Sequence, residues 1–149
     1  MTVAGVISDT HGVLRPEVLA RLRGCDCIIH AGDFADFEIL DQLADTAPLY
    51  AVRGNNDWSL AKRLQPTLRF QLEDLRFFMV HDRTDVPHGL TGVDVVIFGH
   101  THRYYQKVEK GVLWLNPGSC GRRRFSSSLS FAIMRISRKS YDVEKVEFF

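Results

Sequence analysis

Five short apolar runs in this chain each lead directly to a side chain that can bind a metal ion. The first run, residues 3–8, continues into Asp9-Thr10-His11, and the last, residues 94–98, continues into Gly99-His100-Thr101-His102. The three runs between them lead to Asp33, Asn55 and His81. Short apolar runs bounded by turn residues are typical of buried strands. Five such endings in order predict strands that share one sheet edge, with a metal centre at that edge.

The first half of the chain alternates these predicted strands with helices. Residues 15–23 are predicted to form a helix because Pro16 stands in its first turn, where a missing N–H is tolerated. Asp36 is predicted to cap a second helix over residues 37–44, and residues 58–64 are predicted to form a short third one. Strand–helix–strand order implies right-handed crossovers and a largely parallel sheet.

The second half consists of pairs of strand-like segments separated by short turns. Three hairpins are predicted, which pair residues 68–72 with 76–80, 105–108 with 112–115, and 129–136 with 141–149. Antiparallel pairs that follow strand–helix–strand units indicate two packed sheets with helices outside. In such folds ligand sites lie beyond the carboxyl ends of the strands, which is where the five motifs fall.

Length and charge exclude several classes of protein. The 149 residues predict a single domain over residues 1–149. With 19 basic and 18 acidic residues the net charge is +1, so no overall field draws the protein to nucleic acid or to a membrane surface. No apolar run approaches the roughly 18–20 residues of a membrane-spanning helix, and the N-terminus lacks a signal-peptide pattern. We therefore expect a cytoplasmic protein without a membrane partner, and nucleic acid is not an expected ligand.

The candidate ligands offer carboxylate, amide or imidazole groups and no thiolate. They are Asp9, His11, Asp33, Asn55, His81, His100 and His102. Such donors suit manganese, iron, zinc, nickel or cobalt rather than a structural zinc site. Seven donors exceed what one tetrahedral ion takes, whereas two ions that share a bridging carboxylate would use them all. Two metal ions about 3.5–4 Å apart are the standard arrangement for transfer of a phosphoryl group to water.

Several residues near these motifs also have plain structural interpretations. Asp33 alone could cap the second helix, Asn55 lies in a Gly-Asn-Asn-Asp run rich in turn formers, and His81 could be a half-buried histidine at a strand end. His30 is expected to pack inside its strand, with support of a metal ligand as the alternative. For Trp58, capping the core is favoured over walling a substrate pocket.

Taken together, the motifs resemble those of the calcineurin-like metallophosphoesterases. The matching motifs are Asp9-Thr10-His11, Gly32-Asp33, Gly54-Asn55-Asn56-Asp57, His81 and Gly99-His100-Thr101-His102. The short chain, Ser8-Asp9-Thr10-His11-Gly12 and the later Asn116-Pro117-Gly118-Ser119 resemble the small YfcE-type phosphodiesterases of that superfamily. The resemblance covers residues 3–119 and the order of every motif. It implies an α/β fold, a four-layer α/β/β/α sandwich of two mixed sheets with flanking helices.

The resemblance also implies how the site works. It assigns Asp9, His11 and His102 to one metal ion, Asn55, His81 and His100 to the other, and Asp33 to both as a bridge. Two divalent transition metal ions are the implied cofactors, manganese first, with nickel, cobalt, iron or zinc as alternatives. A hydroxide shared by the two ions would attack a phosphodiester or, as a variation, a phosphomonoester. Asn56, Asp57 and His81 are the implied catalytic side chains.

The chain departs from the family pattern at two positions. Many relatives carry a histidine after the ligand asparagine, where it protonates the leaving group, but here that residue is Asn56, which has no proton to give. We therefore predict that aryl esters react well and alkyl esters slowly. His81 is followed by Asp82 where relatives usually have glycine, and this carboxylate either orients an imidazole or faces solvent. The basic run Arg122-Arg123-Arg124 is expected to be a solvated face, with contact to phosphate as the alternative.

The leading hypothesis is a dinuclear metal-dependent phosphodiesterase that acts on a small phosphoester, a nucleotide being one candidate. A chain of 149 residues leaves little length for a cap over the site, which favours an open centre and broad substrates. Association into a homo-oligomer is left open. The alternative is a non-catalytic protein-interaction scaffold on the same fold, as in the retromer subunit Vps29, although all seven ligand types are present here. A nuclease has no support from the neutral charge balance.

Overall fold

The computed structural model describes residues 1–122 and 128–148, which form ten strands, two α-helices and two 3₁₀ turns. The strands are β1 (Thr2–Ile7), β2 (Cys27–His30), β3 (Leu49–Ala51), β4 (Thr67–Leu72), β5 (Leu75–Val80), β6 (Val95–Ile97), β7 (Tyr105–Glu109), β8 (Val112–Asn116), β9 (Leu129–Ser137) and β10 (Ser140–Phe148). The helices are α1 (Pro16–Leu22) and α2 (Phe37–Thr46), and the 3₁₀ turns are Trp58–Leu60 and Arg83–Asp85.

The strands form two mixed sheets, as the fold prediction requires. In the first sheet, with strand order β10-β9-β1-β2-β3, the last three strands run parallel and are joined through α1 and α2. The second sheet has the order β4-β5-β6-β8-β7, and its three central strands run parallel. The hairpins β4–β5, β7–β8 and β9–β10 are confirmed. Phe149, at the end of the third predicted hairpin, lies outside the described residues.

The first two predicted helices are confirmed, with small differences at their ends. Pro16 is the first residue of α1. Asp36 caps α2, since its Oδ1 accepts a hydrogen bond of 3.1 Å from the Ile39 N–H. This helix continues to Thr46, two residues beyond the predicted end. In the part of the chain that the structure describes, neither helix is long and apolar enough to cross a membrane.

The prediction of a third helix over residues 58–64 is wrong. Only Trp58–Leu60 is helical there, as a 3₁₀ turn. The backbone then turns away, because Gln65 accepts a hydrogen bond of 3.0 Å from the Arg53 N–H. Pro66 follows directly, and a proline disfavours the helical conformation of the residue before it.

Apolar side chains fill the space between the sheets and the space beneath the helices. In β1, Val6 lies in the core between the two sheets, whereas its neighbour Ile7 faces the helices, as expected when strand residues alternate. Both helices cover the same outer face of the first sheet through Val18, Leu22, Ile39, Leu40 and Leu43. The α/β sandwich that the sequence predicts is therefore confirmed.

The outer face of the second sheet is covered by a loop that follows β5. The outward-facing side chains of this sheet include Phe78, Val80, Val96 and Phe98. They pack against Val86, Leu90 and Val93, which follow the 3₁₀ turn Arg83–Asp85. In the described parts of the chain this fourth layer contains no α-helix, so it is thinner than the layer formed by α1 and α2.

The strand ends place the predicted ligands at a junction between the two sheets. Strands β1, β2 and β3 of the first sheet precede Asp9, Asp33 and Asn55, while β5 and β6 of the second sheet precede His81 and His100. The expectation of a single sheet edge is therefore corrected. Two edges contribute, and a distance of 3.8 Å between His81 Nε2 and Asp9 Oδ1 shows that they meet.

Candidate metal centre

Asp9 lies in the middle of a cluster of imidazole rings. Its Oδ1 is 3.4 Å from Nε2 of His102, 3.6 Å from Nε2 of His11 and 3.8 Å from Nε2 of His81. The other oxygen, Oδ2, accepts a hydrogen bond of 3.0 Å from the backbone N–H of His100. Because the Asp9 side chain is fully buried and held in this way, Oδ1 is fixed toward the three rings.

Asp33 lies beside Asp9 and contacts two of the same rings. Its Oδ2 is 3.3 Å from Nε2 of His81 and 3.6 Å from Nε2 of His11. Two sets of three ligand atoms lie within 4.8 Å of one another, those of Asp9, His11 and His102 and those of Asp9, Asp33 and His81. Five of the seven predicted ligands therefore converge, with the two carboxylates between the rings.

The atoms that face this cluster fit a cation. His81 donates from Nδ1 to the Ala31 carbonyl at 2.7 Å, so Nε2 is the ring atom that faces the carboxylates. Asp9 Oδ1 and His81 Nε2 are buried and make no hydrogen bond to any described residue. The Nε2 atoms of His11 and His102 lie 3.1 Å apart. Buried polar atoms without a partner are rare in native proteins, and imidazole with carboxylate is a donor set that divalent transition metals bind.

The two carboxylates remain ionised in this cluster. Burial would raise the pKa of Asp9, but the nearby imidazoles of His102, His11 and His81 outweigh it and hold this pKa well below its usual range. Burial likewise opposes ionisation of Asp33, whose pKa is nevertheless lowered, with His81 as the main cause. Burial would lower the pKa of His81, but the two carboxylates raise it to about 9. Two adjacent buried negative charges favour a bound cation.

Asn55 and His100 lie at the side of the cluster. Both are exposed and line a cavity of about 300 Å³ together with His81. The His100 ring stands edge-on to the His81 ring, with 5.2 Å between the ring centroids. His100 Nε2 is 3.7 Å from Asp82 Oδ2, so the carboxylate after His81 lies beside an imidazole. Their assignment to a second metal ion stays a prediction.

Most of the candidate ligands have a left-handed backbone. Positive φ values occur at Asp9 (54°), His11 (48°), Asp33 (66°), His100 (75°) and His102 (63°). Such values are uncommon for residues other than glycine, although aspartate and histidine tolerate them better than most. Residues held in this region cluster at functional sites. This shared conformation was not foreseen from the sequence.

Asp57 holds two ligand loops together. Its buried carboxylate accepts backbone hydrogen bonds from Asp33 (2.8 Å), Phe34 (2.8 Å), Ala35 (3.0 Å) and Gly54 (2.7 Å). The first three donors follow β2 and the fourth follows β3. The Asp57 side chain therefore fixes Asp33 relative to the loop that carries Asn55.

Asn56 contacts the same ligand directly. Its backbone N–H donates to Asp33 Oδ1 at 2.9 Å, and its side-chain Nδ2 donates to Asp33 Oδ2 at 3.1 Å. Gly54, two residues earlier, allows this approach, because a Cβ at that position would overlap the Asp33 carboxylate. The amide of Asn56 thus orients a carboxylate, and the catalytic roles of Asn56, Asp57 and His81 stay predictions.

His30 is packed, as expected, and it also supports the ligand loops. Its ring is fully buried and stacks on Phe34, with 3.6 Å between the ring centroids. Nδ1 accepts a hydrogen bond of 3.0 Å from the Gly32 N–H, so Nε2 carries the proton and donates to Thr10 Oγ1 at 3.1 Å. A neutral His30 therefore links the residue between two ligands, Asp9 and His11, to the loop after β2.

The segment Asn116–Ser119 braces the site from the second sheet. Asn116 Nδ2 donates to the Gly99 carbonyl and to Thr101 Oγ1, both at 3.1 Å. Ser119 Oγ donates to the Asp9 carbonyl at 2.9 Å. These bonds tie the loop that carries His100 and His102 to the loop after β1, so this segment shapes the site as well as turning the chain.

The structure also bears on Trp58 and on part of the basic run Arg122-Arg123-Arg124. Trp58 does not cap the core, because 86% of its surface is exposed. Instead it lines a second cavity next to Asn55. Arg122 is exposed, whereas Arg123 and Arg124 lie outside the described residues, so contact of this basic run with phosphate stays a prediction.

A family model described as the calcineurin-like phosphoesterase superfamily domain matches residues 1–139. The chain belongs to this superfamily. Over 130 residues it is 37% identical to a probable metallophosphoesterase of Methanocaldococcus jannaschii, a match that spans 77% of this chain and 66% of that relative. A phosphodiesterase of the same organism is 30% identical over 141 residues, which are 78% of this chain and 82% of that protein.

Among solved structures, a mutant of Vps29 from Entamoeba histolytica has the same fold. The TM-score is 0.79, with 24% identity and 99% of each chain covered. At that level of identity the likeness shows the fold alone. The family match confirms the resemblance inferred from the motifs and implies divalent metal ions as cofactors, for which the cluster around Asp9 offers the ligand groups.

Proposed function

We propose that this member of the calcineurin-like superfamily is a dinuclear metal-dependent phosphodiesterase. The observation that carries the proposal is the convergence of three imidazole Nε2 atoms on the buried, unpartnered Oδ1 of Asp9, with Asp33 beside it. A core without function has no reason to gather two ionised carboxylates in left-handed backbone conformations. The 30% identity to a phosphodiesterase supports diesters as the substrate class.

The proposed assignment of ligands to the two metal ions follows the family pattern. Asp9, His11 and His102 would hold one ion, Asn55, His81 and His100 would hold the other, and Asp33 would be a ligand of both. Bound divalent ions supply positive charge that acidifies water and offsets the charge of the phosphate oxygens. Manganese is the proposed native ion, with nickel, cobalt, iron or zinc as alternatives.

The residues around the ligands position them and do not transfer protons. The Asp57 carboxylate accepts hydrogen bonds from four backbone N–H groups, and the side-chain amide of Asn56 donates to Asp33. Neither group can protonate a leaving alcohol. We therefore propose that the leaving group departs without a protein acid, which favours esters of acidic alcohols.

The exposure of the cavity beside the metal cluster supports a proposal about the substrate, and proposals about location and partners accompany it. Asn55 and His100 are exposed and line the cavity, so the described residues leave the site open to a small phosphoester, with a nucleotide as one candidate. Phosphomonoesters are a secondary substrate in this proposal. We further propose a cytoplasmic location, no membrane partner, no use of nucleic acid, and a homo-oligomer as one assembly state to be measured.

The proposal is tested by hydrolysis with defined metal content. Purified protein is stripped with chelator, reloaded separately with Mn²⁺, Ni²⁺, Co²⁺ or Zn²⁺, and assayed with bis(p-nitrophenyl) phosphate. We expect activity only in the reloaded protein, and we expect it to fall at least 100-fold in His102→Ala and in His100→Ala. His88→Ala is the matched control, because His88 is an exposed histidine that lines a cavity on the outer face of the second sheet.

The alternative function is a protein-interaction scaffold of the Vps29 type. The shared fold, with a TM-score of 0.79, favours keeping it as the second candidate. Absence of turnover with every ion, while circular dichroism shows a folded protein, would overturn the phosphodiesterase proposal and leave the scaffold. Activity that survives His102→Ala would place the chemistry elsewhere.

A further inference from the structure

Trp58 is a large apolar side chain that is exposed to solvent in this fold. Its indole is 86% exposed, although the residue two positions later, Leu60, is fully buried. Of the described large apolar residues only Met1, Phe37 and Val108 are also exposed, and all of them less so. Large aromatic side chains such as tryptophan bury about 150–250 Å² each when they lie in a core or an interface. Such exposure points to a binding surface.

The position of Trp58 connects it to the candidate metal centre. The indole lines a cavity of about 360 Å³ together with Arg53, Asn55 and Ala61. Arg53, Gly54 and Asn55 also line the cavity of about 300 Å³ that contains His81 and His100. The two cavities thus share one wall, so a ligand whose phosphate lies beside His81 can extend to Trp58.

The turn that carries Trp58 is fixed on both sides. Asp57, immediately before it, is anchored by its four backbone hydrogen bonds. After it, the Ala61 N–H donates to the Trp58 carbonyl at 3.3 Å, and Arg53 Nη1 donates to the Ala61 carbonyl at 3.0 Å. The indole is therefore presented from a defined backbone, which limits the entropy lost when a ligand binds.

Resting on the proposed function, we propose that Trp58 is a specificity-determining residue that stacks on a planar aromatic group of the phosphoester substrate. Indole faces stack on planar rings, including all nucleobases, with little dependence on their hydrogen-bonding edges. Arg53 adds a positive charge to the shared wall, between the ring subsite and the phosphate. The substrate class this geometry selects is a small phosphoester with an attached nucleobase or aryl ring.

The test separates ring binding from catalysis by using product-like ligands. Adenosine monophosphate and ribose 5-phosphate share a sugar phosphate and differ in the base, whereas phenyl phosphate and methyl phosphate make the same comparison without a sugar. Each is measured as an inhibitor of the manganese-loaded enzyme with methyl p-nitrophenyl phosphate as substrate. In Trp58→Ala we expect inhibition constants about tenfold higher for the two aromatic ligands and unchanged for the other two. In Trp58→Phe, which keeps an aromatic ring, the inhibition constants of the two aromatic ligands should stay close to those of the unsubstituted protein.

Phe37→Ala is the matched control, because Phe37 is an exposed aromatic residue that lines neither cavity. It should leave all four constants unchanged. Equal effects of Trp58→Ala on aromatic and non-aromatic ligands would overturn the proposal. So would a Trp58→Ala variant that loses only a dimer in sedimentation experiments, because the indole would then serve contact between copies.

A second readout does not depend on turnover. The chain has two tryptophans, so in Trp114→Phe the emission reports on Trp58 alone. We expect adenosine monophosphate to quench this emission in the metal-loaded protein, and ribose 5-phosphate to leave it unchanged. If the protein hydrolyses nothing but shows this quenching, the proposed function fails and the ring subsite stands. If hydrolysis is present and the base causes no quenching, the ring subsite fails alone.

Discussion

Left-handed backbone at Asp9, His11 and His102 shows how single residues are arranged for a cation. A strained φ of this kind costs on the order of 1 kcal/mol or more for a residue other than glycine. The strain is held by neighbouring backbone, since the Asp9 N–H donates to Gly32 at 2.9 Å and the His11 N–H donates to Asp33 at 3.0 Å. The ligands are therefore placed before a metal ion arrives.

A prediction at the residue scale concerns Asn56 and the leaving group of the proposed reaction. Its amide carries no transferable proton, so the departing alkoxide must be stable by itself. We expect rates with a series of methyl aryl phosphodiesters to fall steeply as the pKa of the leaving phenol rises, with alkyl esters slowest. Asn56→His should flatten this dependence. Equal rates across leaving groups of very different pKa would contradict the role given to Asn56.

A second prediction at this scale concerns His30 and stability at mildly acidic pH. Burial lowers the pKa of His30 to about 3, against an ordinary value of 6.5. Above pH 6.5 both folded and unfolded chains hold the neutral ring, so its contribution to stability is fully present. As the pH falls below 6.5 only the unfolded chain gains the proton, and stability is lost at about 1.4 kcal/mol per pH unit. Urea unfolding should therefore give roughly 1.5 kcal/mol less stability at pH 5 than at pH 6.5.

The window between pH 5 and 6.5 isolates His30 from the metal cluster. His81, with its pKa raised to about 9, contributes stability that is fully present below pH 6.5 and is lost progressively between pH 6.5 and pH 9. Asp9 and Asp33, with lowered pKa values, lose their contribution only in stronger acid. His30→Gln should flatten the profile between pH 5 and 6.5. An unchanged slope in that variant would assign the effect to another group.

At the scale of elements, the loops after β2 and β3 depend on one side chain. Asp57→Asn replaces an acceptor of four backbone hydrogen bonds with an amide that must point two hydrogens at N–H donors. Leaving buried donors unpaired costs about 1–3 kcal/mol each, and relaxation spares some of them, so we expect about 3 kcal/mol of destabilisation. Asp45→Asn, on the exposed side of α2, should cost less than 0.5 kcal/mol, a typical limit for surface changes. Urea unfolding of both variants measures the difference in stability. Equal stabilities would refute the role of Asp57 in holding the two loops together.

Elements that follow from local pattern were predictable, and features set by distant contacts were not. The two α-helices, the hairpins and the position of the ligands after strands follow from alternation, capping residues and turns. The prediction of a third helix was wrong, because the chain leaves the helical path after Leu60 to bring Gln65 beside Arg53, a contact between separate loops. The support of Asp33 by Asp57 and the bracing by Asn116 join separate loops, so only the fold shows them. The exposure of Trp58 likewise depends on where its turn is anchored.

At the scale of the whole molecule, the site exists only when both sheets are in place. His11 and His102 are 91 positions apart in the chain, yet their Nε2 atoms lie 3.1 Å apart. An unfolded chain offers no comparable cluster, so the free energy of metal binding adds to the free energy of folding. The cations that the proposed reaction needs should therefore also stabilise the folded chain.

Metal loading should therefore raise the melting temperature of the whole chain. At a free ion concentration about 100 times the dissociation constant, binding adds about 2.7 kcal/mol of stability. For a chain of this size that corresponds to an increase of roughly 5–10 °C, measured by calorimetry of chelator-treated and manganese-loaded protein. The increase should shrink in His102→Ala and persist in His88→Ala. Identical melting temperatures with chelator and with every divalent ion would show that the ring and carboxylate cluster holds no metal, because binding to the folded chain alone cannot leave its stability unchanged.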